Sequence, residues 1–63
     1  MQHEYRIETM DAAGRWFIAG FDRSEMDAIR TARRYHGELH NGKVAFRVRE
    51  LATGREVLSL PAA

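Results

Sequence analysis

The chain of 63 residues has no cysteine. Disulfide staples and thiolate metal sites are therefore excluded, and the chain is compatible with a reducing compartment. Lysine is nearly missing too: Lys43 stands alone against nine arginines. No run approaches the ~20 apolar residues needed to cross a bilayer, so no membrane partner is expected. The start, Met1-Gln2-His3-Glu4, has neither the basic nor the apolar region of a secretion signal, and a cytoplasmic location is the expectation. The five glycines, Gly14, Gly20, Gly37, Gly42 and Gly54, are scattered and form no phosphate-binding loop. Ser59 lies in no nucleophile motif. A chain this small also has little room for the cavity of roughly 300 Å³ that a ligand needs. Catalytic residues, cofactors and a small-molecule substrate are not expected; the chain is read as a non-enzyme.

What is present is 44% hydrophobic and 30% charged, the mixture of a folded chain. A single domain of this length buries only about 60% of its unfolded surface. Without disulfides or metal, a second subunit is the common way to bury more. The net charge of +1 favours no partner. The arginine excess suits planar contacts with phosphate or carboxylate, but a coding bias is the simpler explanation.

Residues 4–10 alternate, with Tyr5, Ile7 and Thr9 on one side and Arg6, Glu8 and Met10 on the other. A Gly-containing link precedes the apolar run Trp16-Phe17-Ile18-Ala19-Gly20-Phe21, so the two segments read as a hairpin. A three-residue turn with Gly14 in the left-handed position sets Asp11 opposite Arg15 and Ile7 opposite Ala19. Phe17, Ala19 and Phe21 then share the face of Ile7, while Trp16 and Ile18 share that of Arg6. Residues 43–50 and 55–60 form a second hairpin. The same turn, with Gly54 in the matching place, sets Val48 opposite Leu58, Phe46 opposite Leu60, and Glu50 unfavourably opposite Glu56. Pro61 ends the last strand, since it cannot donate to a ladder.

Between the hairpins lies a helix, capped by Ser24 or Asp22, with an apolar stripe of Met26, Ile29, Ala32 and Tyr35 that could extend to Leu39. The fold is therefore α+β: two-layer ββαββ, a small, mainly antiparallel sheet with one helix on one face. The elements fall at about 4–10, 15–21, 24–36 (helix), 43–50 and 55–60 of one domain, 1–63. The strand order stays open. The expected core sets Met26, Ile29, Ala32 and Tyr35 on Tyr5, Ile7, Phe17, Phe21, Phe46, Val48 and Leu58.

A strand apolar on both sides wants cover on both, and one helix covers one face of the sheet. The other face carries Arg6, Met10, Trp16, Ile18, Arg47, Arg49 and Val57 as a candidate interaction face. Aromatic and arginine residues there suit a protein hot spot. The leading expectation is a protein-interaction module that self-associates through this face or an edge, with a homodimer or another protein as partner. The alternatives are a nucleic-acid-binding module using Trp16 and arginines, or a small inhibitor or adaptor docking on a larger protein. Arg30, Arg33 and Arg34 form an alternative basic ridge, although acids first and bases last along the helix is foremost what the helix dipole favours. His36 and His40 flank the helix stop Gly37 without a third ligand, so no metal is expected. His3 is expected in a frayed end.

Overall fold

The structure is a computed structural model that describes residues 4–63, so the expectation for His3 falls outside the described residues. Each hairpin begins with a turn that needs a glycine. In the first, Asp11 N–H donates to Arg15 O at 2.8 Å and Gly14 N–H to Asp11 O at 3.0 Å, with Gly14 at φ +83°. The Asp11 carboxylate fixes this turn by accepting from the N–H groups of Ala13 and Arg15. The loop therefore has three residues and joins β1 (Tyr5–Met10) to β2 (Trp16–Asp22).

The second turn differs from its expected form. Glu50 N–H donates to Arg55 O at 2.8 Å and Gly54 N–H to Glu50 O at 2.7 Å, so the loop has four residues, Leu51 to Gly54. Gly54 still takes the left-handed position, at φ +76°. Here β3 (Phe46–Glu50) meets β4 (Glu56–Leu60). The extra loop residue would shift the register, and a β-bulge at Val57 restores it. Arg49 pairs with Glu56, while Val48 pairs with Leu58 and Phe46 with Leu60. The expected clash of Glu50 with Glu56 is thereby removed, and Arg55 lies beside Glu50 instead, Nε to Oε1 3.5 Å.

The four strands form one antiparallel sheet in the order β2-β1-β3-β4. The first strands of the two hairpins are thus central, and the second strands are edges. Between the hairpins runs α1 (Glu25–Arg34). Ser24 caps it, its Oγ accepting from Asp27 N–H at 3.1 Å. Asp22 does not cap; its carboxylate accepts from the Thr31 hydroxyl and ties the helix to the end of β2. Beyond Arg34 the chain makes one wide π-type turn, Tyr35–Leu39, and leaves through Asn41 and Gly42, both at positive φ.

The helix lies over the face that carries Ile7, Phe46 and Val48. Its buried residues are Ala28 and Ala32, small side chains that let the helix approach closely. This corrects the expected stripe: Ile29 is only half-buried and Met26 is exposed. Tyr35, His36 and His40 gather their rings around Phe46, with centroids 6.1, 6.4 and 5.5 Å away. The fully buried apolar set is short, namely Ile7, Ala28, Ala32, Phe46 and Val48.

Phe17 and Phe21 leave the expected core for different reasons. Phe17 pairs with Thr9 on the helix side, yet it is 51% exposed, with the Arg15 guanidinium 5.9 Å from its ring centroid. Phe21 changes face. A bulge places both Ala19 and Gly20 opposite Ile7, so Phe21 pairs with Arg6 rather than standing in line with Ile7.

Candidate interaction face

Directly paired strand residues share a face of the sheet, so the face away from α1 can be read row by row. One row is Phe21, Arg6, Arg49 and Glu56. The next is Ile18, Glu8, Arg47 and Ser59. The last begins with Trp16 and Met10. Six of the seven expected face residues, Arg6, Met10, Trp16, Ile18, Arg47 and Arg49, are brought together. The seventh is a correction: Val57 is the bulge residue of β4 and packs against the buried core.

The bulge in β2 adds a residue that alternation alone did not assign to this face. With Phe21 turned outward, Trp16, Ile18 and Phe21 line one column along the edge strand. Ile18 is 56% exposed and Phe21 43%. Only the paired register reveals this, because a bulge leaves no firm mark in a single sequence beyond Gly20.

Glu8 is the other residue that the sequence undervalued. It lies in the middle of the face yet is only 5% exposed. Arg47 Nε donates to its Oε1, and Arg6 Nε lies 2.8 Å from its Oε2, an ion pair without hydrogen-bond alignment. The Arg47 guanidinium also stacks on the Trp16 ring, 4.0 Å from the centroid. A buried carboxylate needs this kind of compensation. The signal was Glu8 facing Arg47, which becomes visible once β1 is known to pair with β3.

Two of the arginines here are therefore occupied. Arg6 and Arg47 serve Glu8, while Arg49 stands opposite Glu56 in the register without an ion pair to it, and its Nε donates to the neutral Gly54 O. Three arginines against two glutamates leave the strand residues of this face near neutrality. The basic ridge is partly neutralised as well. Arg30 pairs with Asp27 at 3.6 Å and Arg34 with Glu38 at 3.8 Å, whereas Arg33 has no ion pair among the described residues.

His36 shares a hydrogen bond with Pro61 O at 3.0 Å, and Ala63 N–H donates to Gly42 O, so the final residues are strapped to the wide turn. No cluster of three metal-ligating side chains occurs among the described residues. A half-open cleft of about 290 Å³ lies between Met10, Ala12, Val44, Ala45 and Ala62. Its charged neighbours are Lys43 and Asp11, and the Asp11 carboxylate is already committed to the turn. The Tyr5 hydroxyl has its pKa raised by partial burial and then by Glu50, Glu25 and Glu4, with Arg55 opposing. No helix among the described residues is long and apolar enough to cross a membrane. Comparison of the chain with protein-family models, with curated proteins and with solved structures gives no match.

Proposed function

We propose that this protein is a non-enzymatic interaction module that self-associates through the open face of its sheet. The observation that carries the reading is the column Trp16, Ile18 and Phe21, assembled on one side of an edge strand by the bulge at Ala19 and Gly20. Contiguous exposed apolar surface on a small chain marks an interaction site. The fully buried apolar set is short, so covering this column adds a large share to the total burial.

The near neutrality of the face favours a protein over nucleic acid. Phosphate binding needs arginines free to displace counterions. Here Arg6 and Arg47 are held by the Glu8 carboxylate, and Arg49, bonded only to Gly54 O among the described residues, is the one strand arginine of this face that keeps an uncompensated charge. A pair such as Arg47 on Trp16, held in place by Glu8, instead forms the rigid aromatic–arginine anchor common in protein hot spots.

Sedimentation velocity across a concentration series tests the reading. Wild type is expected to be dimeric. Ile18→Glu, at an exposed position, is expected to be monomeric with an unchanged far-ultraviolet circular dichroism spectrum. A wild type that stays monomeric throughout overturns the proposal.

A further inference from the structure

We propose that the second copy packs face to face with β2 lying on its own β2, about a twofold axis through the row Ile18–Glu8–Arg47. The inference rests on the self-association proposed above and adds its geometry. Two aligned arrangements of identical sheets are available. An axis along the strands that relates the two edges lays β2 on β4. The apolar column would then cover Glu56 and Ser59, both exposed and polar. An axis across the strands lays each strand on its own copy, reversed. Ile18 then meets Ile18 of the second copy, and Trp16 meets Phe21 of the second copy. Apolar groups cover apolar groups along the whole column.

The same axis explains why the middle of this face is wired as it is. A residue on a twofold axis meets its own image, so any charge there faces a like charge. Glu8 and Arg47 sit on this row. Each is compensated inside its own chain: Glu8 lies between Arg47 and Arg6, and Arg47 lies under Trp16. A face made to receive a charged partner would leave its charges unpaired at the centre. This face leaves apolar side chains at its border and a closed ion network at its middle, which suits an occupant identical to itself.

The absence of cysteine makes a direct test simple. Ile18→Cys and, as a control, Ala52→Cys in the exposed turn of the second hairpin are treated with a short bismaleimide at concentrations where wild type is dimeric. The Ile18→Cys chain is expected to give a covalent dimer, and the Ala52→Cys chain is not. In the wild type, emission from the single tryptophan, Trp16, is expected to shift to the blue as the dimer forms and Phe21 of the second copy covers it. A dimer that neither cross-links in the Ile18→Cys variant nor changes Trp16 emission overturns this geometry and leaves self-association standing. Cross-linking without the emission change, or the reverse, also overturns it. Should the Ile18→Cys chain fail to fold, the wild-type emission decides. A wild type that is monomeric at every concentration overturns the underlying reading instead.

Discussion

The two hairpins use the same device to opposite ends. Each has a central strand, a glycine-bearing turn and an edge strand with one bulge. Both bulges fall in one row of the sheet, since Ala19 and Gly20 oppose Ile7, Val57 sits beside Leu58 opposite Val48, and Ile7 pairs with Val48. In β4 the extra residue draws Val57 onto the core and sets Glu56 opposite Arg49. In β2 it sends Phe21 away from the core and onto the open face. One edge is thus finished against water, with Glu56 and Ser59 outside and Pro61 closing it. The other is left apolar. A bulge by itself therefore neither hides nor exposes an edge; the residue next to it decides.

The largest effect should come from the finished hairpin. Phe46 is fully buried in a central strand beneath Tyr35, His36 and His40. Phe46→Ala is expected to cost about 3–5 kcal/mol, enough to unfold much of so small a chain. Ile18→Ala, which removes a smaller apolar group from an exposed site on β2, should change monomer stability by less than about 1 kcal/mol. Urea unfolding of both variants below the concentration of association measures the difference. Equal losses would show that β2 belongs to the core after all.

Next comes the charge network that joins the hairpins. Glu8→Gln leaves Arg6 and Arg47 without their carboxylate in a partly buried setting. The expected loss is about 1–3 kcal/mol, below that of a fully buried pair because both arginines keep some solvent. Part of the loss should return at high salt, which screens the remaining like charges. A salt-independent loss of the same size would point to packing rather than charge.

The turns give a finer contrast. Alanine at Gly14 or Gly54 must adopt a positive φ, which costs roughly 1 kcal/mol. A Cβ at Gly14 meets nothing within 4 Å, whereas one at Gly54 comes within 3.2 Å of Arg49 Nη2. Gly54→Ala should therefore lose more than Gly14→Ala, and it should also disturb the bond from Arg49 to Gly54 O. Thermal melts of the two variants rank them. The reverse order would mean that the three-residue turn is the more constrained of the two.

Much of this was legible in the sequence, and the rest was not for identifiable reasons. Alternation placed Ile7, Phe46 and Val48 together, and the Ser24 cap and the Gly14 turn follow from local chemistry. The helix stripe misled because Ala28, which is fully buried, carries little hydrophobic weight, while Met26 carries much and lies outside. The bulges were invisible because period-two counting assumes an unbroken ladder. The four-residue second turn was hidden by its likeness to the first, Ala52-Thr53-Gly54-Arg55 against Ala12-Ala13-Gly14-Arg15. On the open face, Trp16 and Ile18 were found by alternation, but Glu8 gained its meaning only from the pairing of β1 with β3.

A pH measurement probes where the hairpins meet. Tyr5 in β1 pairs with Glu50 in β3, and partial burial followed by the carboxylates of Glu50, Glu25 and Glu4 raises its hydroxyl pKa above the ordinary value of about 10. The raised value favours the protonated form in the folded chain. Its contribution to stability is complete below the unfolded value and is lost as pH climbs from there through the folded value. Absorbance titration of the phenolate band in a Tyr35→Phe background should show Tyr5 ionising later in the folded chain than in urea. Coincident titrations would remove the carboxylates from its surroundings.

The smallest expected effect bears most directly on the contrast between the edges. Gly20 sits in the bulge that turns Phe21 outward, and it is natural to suppose that glycine makes the bulge. Its φ is not in the left-handed region, and an added Cβ would meet only Ile7 Cδ1, at 3.9 Å. That is ordinary contact against a buried side chain. Gly20→Ala is therefore expected to lie within about 0.5 kcal/mol of wild type, on the stabilising side, because alanine loses less backbone freedom on folding. Association should survive, since Trp16, Ile18 and Phe21 keep their places. If the variant instead lost the dimer while staying folded, the glycine itself would be shaping β2. The bulge would then depend on its local residue, and not on the fit between a seven-residue edge and the six-residue strand beside it.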